Sequence, residues 1–484
     1  MSNLKDLLDG SDRVIGENGS IVHSVSEVNN NLLCLFIKLV RGTNIANLEN
    51  IIKEYAENDQ NAITNLIIIW YQTRATRGMG KGEKKIFYDM IPFLVKYIGI
   101  EPIIATIHLI PHYGYFKDYC YILEMNINED LNKKIIELFT KQLKIDFDNM
   151  QQGKNISLAA KFAPSEKTRF HNWARIFANE IFSDQCFKQY RHMKTTLNKY
   201  LKTPEIMMAA KYNYNKLYAS QLYPHNIIHD ILCCDTKEKS IFIKQWEEMK
   251  KCLENSGVHI NNAIPIVDVS ESMFGEPMEA AIGLGILISE ISTFKNRIIT
   301  LDTKPEWIIF QKYMDITAKI NHIKKAKSGG NTNFSAVIEL ILEHIEKYNL
   351  HIDEVPQTLF IFSDMQFDIG NYKTNKTYHP WLTHLEILRM RFHEVGIKIC
   401  GKPYTIPQII FWNVKGNTNG FQSTENSCQV QELSGFCPHI LKYITANNPS
   451  ETLNMILSDD NFLPIKYALS TMNYEKIEDD FVII

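Results

Sequence analysis

The sequence lacks the features of a secreted, membrane or disulfide-stabilised protein. Its apolar run from Ile63 to Tyr71 is far shorter than the roughly 20 residues that a membrane-spanning helix needs. Residues 1–13 are charged and have no apolar core of the kind found in signal peptides. The nine cysteines include no C-x-x-C pair, so neither a zinc site nor a disulfide framework is indicated. We therefore expect an intracellular, non-secreted protein with reduced cysteines and no membrane partner.

Strong charge and common catalytic motifs are also missing. The net charge is -3, so a nucleic-acid site would have to be a local basic patch. No G-x-S-x-G motif occurs, and Lys81 is followed by Gly82 rather than by the Ser or Thr of a phosphate-binding loop. The composition, with 45% hydrophobic and 22% charged residues, is that of a globular protein, and 484 residues suggest two or more domains.

The first half has helical periodicity throughout. Apolar residues recur at helical spacing in successive segments from Asn31 to Asp148 and again from Glu166 to Ser256, with short connections. This predicts an α-solenoid or an irregular helical array over residues 1–257, although no strict repeat period is visible.

The second half alternates strands and helices. Apolar strand patterns begin at Ala263, Arg297, Thr358 and Gln408, and helical patterns lie between them. Such alternation predicts an α/β domain over residues 258–484, built on a mostly parallel, doubly wound sheet. The fold class is therefore α + α/β.

Three oxygen-rich segments of this second half share one predicted location. Asp268, Ser270 and Ser272 follow the first buried strand, Thr332 precedes a helix, and Asp364 follows the strand that begins at Thr358. Ligands of open α/β sheets collect at the carboxyl ends of the strands, and carboxylates and hydroxyls suit Mg²⁺ or Mn²⁺. The alternative is that these side chains only cap backbone groups.

The joint pattern of a D-x-S-x-S turn, a Gly-Gly-Asn-Thr loop and a Phe-Ser-Asp strand end resembles the metal-ion-dependent adhesion site of von Willebrand factor A domains. The resemblance implies that Ser270, Ser272 and Thr332 coordinate the metal, and that Asp268 and Asp364 act directly or through water. A site of this kind, with one open position, suits the capture of a carboxylate from a partner protein.

Two basic regions suggest a second kind of ligand. The glycine-rich loop at 74–85 and a segment rich in basic and aromatic residues could bind phosphate groups and stack bases. The candidate nucleic-acid contacts are Arg74, Arg77, Lys81, Lys84, Lys85, Lys161, Arg169, Arg175 and Arg191. The alternative is a solvated basic surface with the aromatic side chains in the core.

The order of a helical region and an A-type domain resembles the Ro autoantigen (TROVE) proteins, which bind small structured RNAs. The segments at 77–83, 113–118 and 159–165, with the metal motifs, resemble more closely an uncharacterised family of plants and large DNA viruses, whose viral members would act in a viral factory or virion. Three functions follow: a non-enzymatic scaffold that captures an acidic partner through a metal ion, an RNA-binding protein, and a metal-dependent hydrolase. We favour the first, because hydroxyl-dominated ligation suits capture better than hydrolysis.

Overall fold

The computed structural model describes residues 13–182, 187–203, 223–234, 239–255, 258, 260–325, 332–369, 383–416 and 418–473. Residues 204–222, within the helical pattern expected from Glu166 to Ser256, and most of the Gly-Gly-Asn-Thr loop that contains Thr332 lie outside the described residues. No helix in the described part of the chain is long and apolar enough to cross a membrane.

The contacts divide the chain into two compact units, neither of which is continuous in sequence. One combines Met1–Ile51 with Leu222–Ser458, and the other combines Ile52–Gln221 with Asp459–Ile484. We call them the sheet unit and the helical unit. The domain division expected at residue 257 stays a prediction.

The helical unit is built from short amphipathic helices, as the periodicity predicts. Aromatic side chains fill its interior; for example, Trp70 stacks on Phe87 with 4.4 Å between the ring centroids. Its α-helices, with α3 shared across the division, are α3 Glu49–Asn58, α4 Ala62–Arg74, α5 Lys84–Ile98, α6 Glu101–Thr106, α7 Ile110–Tyr113, α8 Phe116–Met125, α9 Glu129–Gln151, α10 Ala159–Phe162, α11 His171–Phe182, α12 Phe187–Tyr200 and α20 Leu463–Ser470. Short 3₁₀ turns are at Ile107–Leu109, Asp460–Phe462 and Thr471–Asn473.

The sheet unit contains a six-stranded, mostly parallel sheet, which confirms the α + α/β fold class. Its strands are β3 Ala263–Asp268, β4 Arg297–Leu301, β5 Trp307–Ile309, β6 Thr358–Ser363, β7 Gln408–Asn413 and β8 Val430–Ser434. Their order is β5-β4-β3-β6-β7-β8, and only β5 is antiparallel to its neighbour. The first and fourth of these strands, β3 and β6, are therefore adjacent. Between them the strand order reverses, and ligands of doubly wound sheets bind at this position.

Helices cover both faces of this sheet. Ile264 and Ile266 of β3 belong to a buried cluster with the helices at Phe334–Tyr348 and His384–Cys400, whereas Val267 faces the helix at Glu276–Ile291. The helices of the sheet unit are α1 Val25–Val28, α2 Asn31–Lys38, α13 Pro224–Cys233, α14 Lys239–Asn255, α15 Glu276–Ile291, α16 Ile316–Lys324, α17 Phe334–Tyr348, α18 His384–Cys400 and α19 Pro449–Ser458. Its 3₁₀ turns are at Ile45–Leu48, Glu271–Met273, Ile352–Glu354 and Pro438–Tyr443.

The N-terminal segment differs from the expectation. It forms an antiparallel hairpin, β1 Arg13–Ile15 with β2 Ile21–His23, where the sequence had indicated no strand. It also packs on the sheet unit, since the Ser434 hydroxyl donates to the Phe36 carbonyl at 3.1 Å and His23 pairs with Phe421 as an isolated bridge. Residues 421–423, in the loop that pairs with His23, are accordingly buried.

Candidate metal-binding site

The turn after β3 places three of the five predicted ligands together. Asp268 is wholly buried and accepts a hydrogen bond from the Ser270 backbone N–H at 2.9 Å. The Ser270 and Ser272 hydroxyl oxygens are 3.1 Å apart. Met273 is buried beneath the turn, so the chain is anchored where the hydroxyls converge.

Asp364 is brought beside this turn by the pairing of β3 with β6. Because Val267 is opposite Phe362, the next residues of the two strands, Asp268 and Ser363, come side by side. The Ser363 hydroxyl donates to Asp268 Oδ2. Asp364 is buried as well, and its Oδ1 accepts from the Gln366 backbone N–H at 3.3 Å.

Thr332 is held near the same edge of the sheet by a hydrogen bond to the segment that follows β6. It is buried, and its carbonyl oxygen accepts from the Asp368 backbone N–H at 2.9 Å, four residues beyond Asp364. The structure thus joins Thr332 to the segment that follows β6, and among the described residues Thr332 and Asp268 form no hydrogen bond with each other.

The two buried carboxylates determine the electrostatics of the site. Burial raises the pKa of Asp268 to about 7, and the negative charge of Asp364 adds to the increase, whereas hydrogen bonds from Ser270 and Ser363 oppose it. Two carboxylates in one buried place repel each other unless a proton or a cation compensates them. The site is therefore electrostatically suited to a cation.

Sequence reasoning missed two contributors. The Lys415 ammonium lies 2.6 Å from the Ser272 carbonyl oxygen and 3.4 Å from Asp364 Oδ2. The segment before β2 holds the turn after Asp364, since the Glu17 backbone N–H donates to Gln366 Oε1 at 3.0 Å and Asn18 Nδ2 donates to the Gln366 carbonyl at 2.7 Å. Only the position of Lys415, two residues after the end of β7, could have suggested it, and nothing in the sequence pairs residues 17–18 with Gln366.

The donor chemistry of this group fits a hard divalent cation. Two carboxylates and the hydroxyls of Ser270 and Ser272 are oxygen ligands of the kind that Mg²⁺ and Mn²⁺ accept. Within the described ranges no cluster of three or more His, Cys, Asp or Glu side chains could hold a metal ion. Any site here is therefore one in which hydroxyls supply much of the ligation.

The residues of the glycine-rich basic loop are mostly internal. Arg74 is 1% exposed and forms an ion pair with Asp118 at 2.7 Å, and Lys81 is fully buried, which lowers the pKa of its ammonium to about 7. The Arg77 guanidinium donates to the His112 carbonyl at 2.6 Å. These contacts stabilise the helical unit, and Arg74 and Lys81 are inaccessible to a nucleic acid.

The other predicted basic residues are exposed. Lys84, Lys85, Lys161, Arg169, Arg175 and Arg191 all lie at the surface of the helical unit. Arg169 pairs with Glu124 at 2.7 Å and Arg191 with Glu166 at 3.7 Å, so nearby carboxylates offset part of the positive charge. RNA binding through these residues stays a prediction.

Comparisons with known proteins point to proteins without an assigned activity. Residues 262–461, which carry the sheet and the predicted metal ligands, match a domain of unknown function, DUF7788. The chain is 26% identical over 543 residues to an uncharacterised protein of Acanthamoeba polyphaga mimivirus, an alignment that covers 96% of this chain and 90% of that protein. The similarity extends over both units and supports the expected relation to an uncharacterised family of large DNA viruses.

Proposed function

We propose that the sheet unit binds a divalent cation, Mg²⁺ or Mn²⁺, and uses it to capture an acidic side chain of a partner protein. Asp268, Ser270, Ser272 and Asp364 would hold the ion, with Thr332 as a further oxygen donor, as in a von Willebrand factor A-like domain. The observation that carries the proposal is the burial of two carboxylates, Asp268 and Asp364, beside paired serine hydroxyls at the carboxyl end of β3 and β6.

The accessible side of the site suits a protein ligand. Ser272 is exposed, whereas Asp268, Ser270 and Asp364 are buried, so a ligand would approach along the turn after β3. Phe274, two residues after Ser272, is 88% exposed and offers an apolar contact to a partner. Asp268 and Asp364 together offset the two charges of the ion, so the attraction for a carboxylate would come from an open coordination position beside the neutral hydroxyl ligands.

Metal binding is tested by substitution of Asp268 with asparagine, which keeps the size of the side chain and removes its charge. We expect saturating Mg²⁺ or Mn²⁺ to stabilise the wild-type protein, by about 2.7 kcal/mol at a concentration of 100 times Kd. The stabilisation should be lost in Asp268→Asn. Thermal denaturation with titrated metal, and isothermal titration calorimetry, measure both effects.

Asp146→Asn is a matched control in the helical unit. Asp146 is likewise buried and accepts from the backbone N–H and the hydroxyl of Ser157, at 3.0 and 2.6 Å. This variant should keep the full response to metal. A wild-type protein that ignores both ions, or an Asp268→Asn protein that responds like wild type, would refute the proposal.

Partner capture is tested with the full chain as bait in a cell extract. Proteins retained with Mg²⁺ should be released by EDTA and should be missing from the Asp268→Asn bait but present on the Asp146→Asn bait. Retention unaffected by EDTA contradicts a metal-dependent contact, and retention that disappears on nuclease treatment would favour RNA binding.

A further inference from the structure

The ammonium group of Lys415 lies beside the candidate metal-binding site. Its ammonium contacts the carbonyl oxygen of Ser272 at 2.6 Å and Asp364 Oδ2 at 3.4 Å, and so joins the β3 turn to the carboxylate that follows β6. Its side chain is 39% exposed, which leaves it a route to solvent.

The backbone on both sides of Lys415 is held in place. Its own N–H donates to Asn413 Oδ1 at 2.9 Å, and the N–H of Gly416 donates to the Arg41 carbonyl at 2.9 Å. A Cβ atom at Gly416 would lie 2.2 Å from the backbone nitrogen of Thr43, so the loop packs closely against the N-terminal segment. Movement of the Lys415 ammonium must therefore come from rotation of its side chain.

A divalent ion and the Lys415 ammonium need the same carboxylate. Both are attracted by the negative charge of Asp364, and two cations that share one carboxylate repel each other over a few ångströms. Lys415 therefore neutralises Asp364 when no ion is bound and opposes the entry of one.

We infer that Lys415 is a tethered cation that competes with the divalent ion, so that ion binding displaces its side chain from Asp364 and Ser272. This inference rests on the proposed metal binding and adds its regulation. The ion-free and ion-bound states of the site then differ in the position of the Lys415 side chain. Competition by Lys415 raises the Kd of the site for the ion.

Substitution of Lys415 with methionine tests the inference, because methionine keeps much of the apolar stem and removes the charge. We expect Lys415→Met to bind Mn²⁺ with a Kd about fivefold lower than wild type, as removal of one partly exposed competing ion pair predicts. Lys415→Arg keeps the charge and should bind Mn²⁺ close to wild type. Lys398→Met removes a surface lysine that pairs with Glu346 at 3.0 Å and is the matched control. Calorimetric titration of the full chain with Mn²⁺ gives all four values.

The sign of the effect separates competition from support. If Lys415 serves to hold the Ser272 turn in place for the ion, Lys415→Met binds Mn²⁺ more weakly, and the inference is wrong while the metal site stands. Equal affinity of Lys415→Met and wild type, or an equal gain in Lys415→Arg, overturns it too. If Lys415→Met binds Mn²⁺ and the wild-type protein does not, the result supports the inference. If neither protein binds Mn²⁺, the proposed function fails, and the inference fails with it.

Discussion

At the scale of single residues, the buried carboxylates Asp268 and Glu432 of the sheet unit have different surroundings. Asp268 lies beside another carboxylate, whereas Glu432 accepts hydrogen bonds from the backbone and hydroxyl of Ser423, at 2.6 and 2.7 Å, and has Lys38 as its counter-charge. The Lys38 ammonium also donates to the carbonyl of Gly420 at 3.0 Å. Burial lowers the pKa of Lys38 to about 8 and raises that of Glu432 to about 7. The pair of Glu432 and Lys38 joins α2 to β8 and is structural.

Glu432 should make the stability of the protein depend on pH. Its pKa is raised from 4.5 in the unfolded chain to about 7 in the folded one, so the stability it contributes is complete below pH 4.5 and is lost as the pH rises through 7. The loss is at most about 3 kcal/mol. Glu432→Gln should therefore reduce the difference in unfolding free energy between pH 5 and pH 7.5, measured by chemical denaturation.

The surface variant Glu346→Gln, of the same chemistry, should leave that difference as in wild type. A wild-type pH dependence in Glu432→Gln would show that Glu432 is ionised in the folded protein throughout this range.

At the scale of elements, the candidate site depends on the close packing of α15 on β3. A Cβ atom at Gly285 would lie 2.3 Å from the Cγ2 methyl of Val267, while the next atoms are at 3.7 and 4.0 Å. One methyl group therefore limits how near the helix approaches the strand that carries Asp268. A helix one carbon further away would also shift the Ser270–Gly275 turn, which connects the two elements.

Gly285→Ala should destabilise the protein although alanine favours helices. The gain in helix propensity is about 1 kcal/mol, and overpacking costs about 1–3 kcal/mol, so we expect a net loss of stability of up to about 2 kcal/mol. In a Val267→Ala background the obstructing methyl is missing, and Gly285→Ala should cost less or stabilise. Urea denaturation of the four proteins gives the coupling free energy, and strictly additive effects would exclude a direct clash.

At the scale of the whole molecule, the compact units do not follow the order of the chain. The segment from Arg13 to Lys38 lies in the sheet unit, where Arg13 pairs with Glu386 at 2.8 Å, and residues after Asp459 lie in the helical unit, where the Tyr113 hydroxyl donates to the Asn461 carbonyl at 2.6 Å. Each unit is thus closed by a terminal segment that is distant in sequence. We expect each unit to respond to mutation as a cooperative whole.

Phe36→Ala and Phe139→Ala form a matched pair for this expectation. Both phenylalanines are fully buried, one on α2 of the sheet unit and one on α9 of the helical unit, and each truncation should cost about 3–5 kcal/mol. Hydrogen exchange should accelerate in β7 and β8 for Phe36→Ala, and in α8 and α11 for Phe139→Ala. If Phe36→Ala instead accelerates exchange in α8 and α11 alone, the N-terminal segment belongs to a domain that ends near residue 257.

The sequence predicted the elements of the fold better than their grouping. The alternation of strand and helix patterns after Ala263 was sufficient to predict a mostly parallel sheet. The position of polar residues directly after strands was sufficient to predict that Asp268 and Asp364 lie at one edge of it. The hairpin at Arg13–His23 was missed because each of its strands has three residues, too few for a periodic pattern to be recognised. The basic loop was misleading because composition does not separate a buried arginine such as Arg74 from an exposed one.

Local order along the chain therefore determined the longer helices, the main strands of the sheet and the position of oxygen-bearing side chains at strand ends, since each of these depends on residues near in sequence. Only the tertiary structure decided that Lys415 reaches Asp364, that residues 17–18 support Gln366, and that residues 13–51 belong with the sheet. These relations join residues about 50 to 350 positions apart. They depend on which apolar surfaces pack together, and the pairing of surfaces produces no periodic pattern in the sequence.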